Sequence, residues 1–172
     1  ITLRQSDIQP ERNSDQAQWA KVAEWLNGHG LDVAVVPDTD AVLRGENDGV
    51  WAYECIPAAM NIDIRLALYE LAEFNCFTSG GPTALAAFSD CRYAAFKMVC
   101  PPWTAKHLQD VGIEDGSDRG PFRETHFCPD TYTNVVHILE RFLKVESNRS
   151  VRPVLNAQTH YRGHLIQPVA HG

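Results

Sequence analysis

The stretch ELAEFNCFTSGGPTALAAFSDCRYAAFK, residues 70–97, decides the fold of this chain. It contains the only glycine pair of the sequence, Gly80-Gly81, with an apolar run before the pair at residues 74–77. An alanine-rich run follows at residues 82–88, and Pro82 suits its first helical position because the missing N–H has no intrahelical partner there. The pattern therefore predicts a buried strand, a tight loop and a helix.

The glycine turn is a candidate anion site. Backbone N–H groups and the helix dipole point at the same place where a helix starts on glycines after a buried strand. The residues of such a phosphate or diphosphate cradle are Ser79, Gly80, Gly81 and Thr83. The alternative is an ordinary turn whose small residues serve packing. The motif alone slightly favours packing, since it is neither a Walker loop nor a spaced dinucleotide fingerprint.

Strand-like and helix-like segments alternate along the first hundred residues. DVAVV, residues 32–36, is a β-branched apolar run, and a helix from Ser14, its predicted N-cap, to Gly28 precedes it. The successive segments are residues 1–4, 14–28, 32–36, 50–56, 61–74, 76–78, 82–89 and 93–99. This pattern predicts an α/β fold, with a Rossmann-like, mostly parallel sheet and helices on both faces.

The pattern weakens after Pro102. Residues 103–111 resemble a short helix, residues 112–120 a loop and residues 122–127 an edge strand or an extended segment. Asp130 is the predicted cap of a clear amphipathic helix over residues 131–145, in which we expect His137 at a packed core position, and no periodicity follows. We therefore predict a domain at residues 1–146 and an irregular tail at residues 147–172.

Composition excludes several classes of function. The formal net charge is −7, whereas a general nucleic-acid-binding domain is normally basic. No apolar run approaches the roughly 20 residues that span a bilayer. The cysteine number is odd and no pair has CxxC spacing, so we expect buried free thiols in a cytoplasmic protein, without a zinc site. The cysteines are Cys55, Cys76, Cys91, Cys100 and Cys128.

A second group of candidate residues lies where predicted strands end. Arg4 ends the first strand, Arg12 and Asn13 precede the first helix, and Lys97 ends the strand after the glycine turn. Open α/β sheets bind ligands at the carboxyl ends of their strands, and guanidinium forks suit a diphosphate. The alternative is that the arginines form surface ion pairs and that Lys97 only extends to solvent. The nearby acids are Asp7, Glu11 and Asp15.

Three stretches resemble the carboxyl-terminal, nucleotide-sugar-binding half of a GT-B-fold glycosyltransferase. They are LRQSDIQPERNSDQAQW at residues 3–19, DVAVVPDTD at residues 32–40, and the run from residue 61 to residue 97. The likeness covers roughly residues 1–100 and is nearest to bacterial glycosyltransferase-like proteins, and more distantly to fucosyltransferases. The fucosyltransferase motif His-x-Arg-x-Gly-Asp is absent.

The resemblance implies a site and a partner. In such families an arginine after the first strand holds the donor diphosphate, a place that Arg4 matches, with Arg12 as a second candidate. The Ser79–Thr83 turn would add phosphate contacts. The expected ligand is a GDP- or UDP-linked sugar, and the acceptor is unknown. The amino-terminal acceptor half has no counterpart here, so we expect a further domain in the complete protein.

The expected reaction is transfer of the sugar, with arginines stabilising the departing diphosphate without an obligatory metal or cofactor. Asp38 and Asp40 follow a strand as turn residues or as partners of a base or ribose. One alternative is a non-catalytic nucleotide- or phosphate-binding domain of the same fold. Another is a hydrolase using Ser79 or a cysteine, although residues 76–80 do not form a Gly-x-Ser-x-Gly elbow.

Overall fold

The computed structural model describes residues 1–46, 51, 53–101, 103–118 and 122–147. The predicted tail from residue 148 onward, and residues 50 and 52 of the predicted third strand, lie outside the described residues. The elements are a short 3₁₀ helix at Pro10–Arg12, α1 at Gln16–Gly28, α2 at Thr39–Arg44, α3 at Ile56–Met60, α4 at Ile62–Leu71, β1 at Asn75–Thr78, α5 at Gly81–Ala87, β2 at Tyr93–Phe96, α6 at Ala105–Asp110, β3 at Ser117–Asp118, β4 at Arg123–Thr125 and α7 at Tyr132–Ser147.

The strands form one mixed sheet in the order β1-β2-β4-β3. β1, β2 and β4 are parallel, with Phe77 opposite Ala95 and Ala94 opposite Glu124. β3 is antiparallel to β4. The protein is therefore a mixed α/β structure with a three-stranded parallel sheet flanked by helices, compatible with a Rossmann-like fold.

Amino-terminal segments extend the sheet through single parallel bridges. Thr2 pairs with both Val36 and Phe77, and Val35 pairs with Glu54. The Thr2 N–H donates to the Cys76 carbonyl at 2.8 Å, so the start of the chain lies at the centre of the sheet rather than at its edge. The turns that follow Thr2 and β1 are consequently neighbours.

The side-chain alternation of the strands divides the core between the two faces of the sheet. In β2, Ala94 and Phe96 face the α1 and α7 side, where Trp19 and Val135 are fully buried. Tyr93 and Ala95 belong to the other cluster, and that face is covered by α4, α5 and α6 through Tyr69, Ala86 and Leu108. This period of two is the ordinary consequence of the β pleat.

Two helix caps differ from the predictions. Asp15, not Ser14, caps α1 by accepting from the Gln18 N–H at 3.2 Å. Asp130 does not cap α7; the Thr131 hydroxyl accepts from the Asn134 N–H at 3.4 Å instead. Both helices begin one residue later than predicted because the earlier polar side chain is used for a tertiary contact. Asn61 caps α4 as one of the two predicted candidates.

Two predicted strands and one predicted helix near the glycine turn have different bounds in the structure. The predicted strand at residues 50–56 forms a bridge only at Glu54, and Pro57 lies in the first turn of α3 rather than after a strand. β2 ends at Phe96 because Lys97 adopts a left-handed φ of 55°. α5 begins at Gly81, one residue before the predicted first position.

The carboxyl-terminal part corrects two further predictions. β4 is not an edge strand, because β3, in the stretch expected to be a loop, pairs with its outer side. His137 is exposed on α7, whereas a packed core position was expected for it. Among the histidines that the structure describes, His126 is the buried one, and its ring stacks on Phe96 with 5.4 Å between centroids.

Candidate functional site

Ser14 joins the ends of two neighbouring strands. Its hydroxyl accepts from the Arg4 N–H at 2.9 Å and lies 3.1 Å from the Thr78 hydroxyl. The Ser14 N–H in turn donates to the Arg4 carbonyl at 2.9 Å. The sequence pattern suggested only a helix cap for this serine, so its role in holding the two turns together was missed.

Arg12 reaches the glycine turn from the first loop. Its Nη2 donates to the carbonyl and the hydroxyl of Ser79, at 3.2 and 3.3 Å, and its Nη1 donates to Gln9 at 2.7 Å. Its buried Nε–H has no hydrogen-bond partner within the described part of the chain. The charge of Arg12 therefore sits directly against the turn after β1.

Arg4 lies near the same turn, beside Gly80. Its Nη2 donates to the Ile8 carbonyl at 2.6 Å, and its Cδ would be 4.0 Å from a Cβ added at Gly80. The buried Nε–H of Arg4 also lacks a partner among the residues described. A buried, unsatisfied donor costs free energy, which an anion in the turn would recover.

Neither arginine is neutralised by a carboxylate in the described structure. Asp7, one of the acids expected to pair with them, lies 3.6 Å from Arg44 instead. An unpartnered Nε is not special in itself, because Arg123 has one far from this turn. What distinguishes Arg4 and Arg12 is that both unpaired charges flank the same backbone segment.

Packing does not explain the glycine pair. Gly80 has an extended φ of 168°, which any residue adopts, and an added Cβ would make an ordinary 3.5 Å contact with Pro82. A Cβ at Gly81 would meet nothing within 4 Å. The turn thus has open space at Gly81, and the buried Thr83 hydroxyl beside it has no partner in the described region.

Asn13 and Lys97 are occupied by protein contacts. The Asn13 side chain binds both the N–H and the carbonyl of Ser6, each at 3.0 Å. The Lys97 ammonium donates to the Asn13 carbonyl at 2.6 Å and lies 3.6 Å from Asp130. These two predicted site residues hold the loop that carries Arg12, so their contacts support positioning rather than direct binding.

Asp130 stabilises the segments around the glycine turn through buried contacts. The carboxylate is only 3% exposed, and it accepts from the Trp19 Nε1–H at 2.9 Å and from the Asp15 N–H at 3.0 Å. It therefore connects the start of α1, the residue after β2 and the segment before α7. The sequence pattern predicts only a helix cap for Asp130, and no local signal indicates this long-range role.

Two cavities lie at opposite edges of the sheet. A cleft of about 50 Å³ at the carboxyl edge is lined by Arg4, Arg65 and Gly80, among others. A cavity of about 490 Å³ lies at the amino edge and is mainly apolar, with Phe74 and Phe142 in its wall. We place the candidate site at the smaller cleft, because Arg4 and Gly80 line it and Arg12 contacts the neighbouring Ser79.

The carboxylates near the site are engaged. Asp38 caps α2 by accepting from the Asp40 N–H at 2.8 Å, and its other oxygen accepts from the Gln5 N–H at 2.9 Å. Asp40 accepts from the Ser6 hydroxyl at 3.2 Å. Neither carboxylate is placed as a free base, and the described residues contain no group of three potential metal ligands among His, Cys, Asp and Glu.

The thiols do not resemble activated nucleophiles. All five cysteines are free, although Cys55 and Cys128 are only half-buried. Burial raises the pKa of Cys76 to about 12, and burial also raises the pKa values of Cys91 and Cys128. The Ser79 hydroxyl contacts a guanidinium rather than a base. These contacts weaken the hydrolase alternative.

Comparisons with models of known protein families, with curated proteins and with solved structures found no match for this chain. In the described part of the structure, none of the helices combines the length and the apolar character required to traverse a bilayer.

Proposed function

We propose that this chain is a Rossmann-like domain that binds a nucleoside diphosphate sugar, as the donor-binding part of a glycosyltransferase. The order of parallel segments supports the fold assignment. From one side of the sheet to the other, these segments are Glu54, Val35–Val36, Thr2, β1, β2 and β4. Numbered by their position along the chain, they have the order 3-2-1-4-5-6. This is the doubly wound order, in which ligands bind where the order reverses.

The observation that carries the proposal is the convergence of Arg4 and Arg12 at the reversal point. The order reverses between Thr2 and β1, and the turns after these two segments hold Arg4 and Ser79–Gly80. Arg12 contacts Ser79, and neither guanidinium has a carboxylate partner among the described residues. Two such forks beside an open glycine turn are suited to a diphosphate.

The chemistry follows from the charge of the leaving group. Cleavage of the sugar–phosphate bond leaves negative charge on the departing diphosphate, and guanidinium groups beside it stabilise that charge as it develops. Arg4 and Arg12 would act in this way. An acceptor and a base that activates it are supplied from elsewhere, because the carboxylates beside the turn are already engaged.

That engagement of the carboxylates favours a second candidate, a non-catalytic nucleotide-binding domain of the same fold. Asp38 and Asp40 both serve the local backbone or a serine hydroxyl. In this alternative the diphosphate binds at the same turn without turnover. An assay of donor hydrolysis separates the two functions, since only an active domain releases the sugar.

Calorimetric titration with GDP and UDP tests the proposal on the protein and on its Arg4→Ala and Arg12→Ala variants. Loss of a charge-assisted contact to a phosphate is expected to weaken binding about tenfold or more. Arg44→Ala is the matched control, because Arg44 is an arginine of the same region that is already paired with Asp7 and Glu46. It should leave the affinity unchanged.

Two results would overturn the proposal. One is the absence of binding of either nucleotide at millimolar concentration. The other is equal affinity of the three arginine variants, which would place the nucleotide away from the glycine turn. Circular dichroism of each variant checks that the fold is retained.

A further inference from the structure

The cleft beside the glycine turn contains a third arginine, Arg65 of α4. Its Nε donates to the Ala58 carbonyl at 2.7 Å and its Nη2 to the Ala59 carbonyl at 2.9 Å. The same Nη2 lies 3.5 Å from the Thr39 hydroxyl. The guanidinium is therefore held in one orientation by the carbonyl end of α3, without a carboxylate partner among the described residues.

Arg65 and Arg4 line the same cleft, and Gly80 forms part of its wall. Asp38 also lines the cleft, so its lining has two arginines and one carboxylate and a positive formal charge. Both Asp38 oxygens are turned to backbone N–H groups of Gln5 and Asp40. The carboxylate is thus satisfied without either arginine, whose charges remain available.

The size of the cleft limits what it can hold. Its volume is about 50 Å³, which is room for roughly four waters at 10–15 Å³ each. A single phosphate group has a similar number of heavy atoms, whereas a sugar or a base is much larger. Arg12 contacts Ser79, the residue before Gly80 in the same turn. An arginine therefore lies beside each of these two adjacent residues.

We propose that the cleft between Arg4 and Arg65 is the subsite for the second phosphate of a diphosphate, with Arg12 serving the first. This inference rests on the proposed function and assigns each of the two linked phosphates to its own arginine group. Arg65 then acts as a specificity-determining residue, because it contacts only the group that distinguishes a diphosphate from a monophosphate.

The test compares GDP with GMP by calorimetry on the protein and on Arg65→Gln, because the shared nucleoside keeps the first phosphate at Arg12. GDP is expected to bind about tenfold or more weakly to the variant, and GMP equally well. Arg12→Ala should weaken both kinds of probe. Salt is held constant, since phosphate binding depends on it.

Arg123→Gln is the matched control. Like Arg65, Arg123 binds the carbonyl end of a helix, because it donates to the carbonyls of Ala86, Ala87 and Ser89. It is not among the residues that line the cleft. It should leave the preference for diphosphates unchanged. If Arg65→Gln does not fold, Arg65→Lys keeps the charge and loses the fork geometry, so it should lower diphosphate affinity several-fold while monophosphate affinity stays.

The outcomes separate this inference from the function on which it rests. Equal loss of monophosphate and diphosphate affinity in Arg65→Gln, or no loss in Arg65→Lys when the glutamine variant does not fold, overturns the second-phosphate subsite. Nucleotide binding at Arg4 and Arg12 would still stand. Absence of binding of both GDP and GMP overturns both.

Discussion

Arg12 donates to both the carbonyl and the hydroxyl of Ser79, at 3.2 and 3.3 Å, although 67 residues separate them in the chain. Ser79 is 5% exposed, so the guanidinium reaches a buried residue at the start of the turn. The contact joins the first loop to the end of β1. It places the charge of Arg12 at the point of the sheet where the strand order reverses.

Substitutions in the glycine pair should weaken nucleotide binding without destabilising the fold. Gly81→Ala adds a methyl group where no atom lies within 4 Å, and Gly80→Ala makes only ordinary contacts. We expect Gly81→Ala to leave the free energy of unfolding unchanged or raise it by about 0.4–1 kcal/mol. We expect weaker nucleotide binding by both variants, because the added carbon occupies the open side of the turn.

Urea unfolding and calorimetric titration measure the two effects. Gly28→Ala is the control, since a Cβ there also meets nothing within 4 Å, but the residue ends α1 away from the turn. Its nucleotide affinity should equal that of the original protein. Unchanged binding by both turn variants would mean that the backbone of the turn does not approach a ligand.

Replacement of Asp130 should destabilise the domain. In Asp130→Asn the Lys97 ammonium, whose side chain is 24% exposed, loses its ion-pair partner, and the Trp19 and Asp15 donors lose a charged acceptor. We expect the free energy of unfolding to fall by about 2 kcal/mol or more. Urea unfolding at neutral pH measures this change.

The control is Asp110→Asn, which removes the exposed pair with Lys106. That pair should contribute less than about 0.5 kcal/mol, because solvent screens it. A loss at Asp130 no larger than at Asp110 would contradict the anchoring role.

His126 should make the fold less stable in mild acid. Burial lowers the pKa of His126, and nearby Arg141 lowers it further, while Glu124 and Asp115 oppose the shift. The unfolded chain therefore takes up the proton at higher pH than the folded chain does. Stability is retained above the ordinary histidine pKa of roughly 6.5 and falls as the pH decreases through it.

Urea unfolding between about pH 7.5 and 5.5 detects the effect around the ordinary histidine pKa. The decrease in the free energy of unfolding should be smaller in His126→Gln than in the original protein. His137→Gln, on the exposed side of α7, should behave like the original protein. Identical pH dependence in all three proteins would show that His126 is not responsible.

Cys76 should remain unreactive in the folded protein. It is 3% exposed, and burial raises its pKa to about 12, so almost no thiolate forms near neutral pH. We expect a disulfide reagent to modify half-buried Cys55 first and Cys76 only after unfolding. Mass spectrometry of the labelled peptides assigns each site, and Cys55→Ser should remove the fast phase. Rapid labelling of Cys76 would revive the thiol-enzyme alternative.

Local sequence signals predicted the glycine-turn unit well. The apolar run before Gly80, the glycines and the alanine-rich run after them became β1, a turn and α5 within one or two residues. The α7 pattern likewise placed Val135, Ile138 and Phe142 in the core. These signals work because strand alternation and helical periodicity depend on neighbours in the chain.

Tertiary structure decided what each polar side chain does. Ser14 and Asp130 are both residue types that commonly cap helices. In the structure, Ser14 instead joins Arg4 to Thr78, and Asp130 binds Trp19 and Lys97. A side chain with two possible hydrogen-bond partners takes the one that burial makes costlier to leave unsatisfied. That choice depends on distant segments, which no local window contains.

By itself, the sequence determined the alternation of strands and helices and the presence of arginines near strand ends, because both are local patterns. Only the tertiary structure decided that Thr2 lies between Val36 and Phe77, and therefore that Arg4, Arg12 and Arg65 surround one turn. The physical reason is that strand order follows from the packing of both sheet faces. The chemistry of a local motif is compatible with several strand orders.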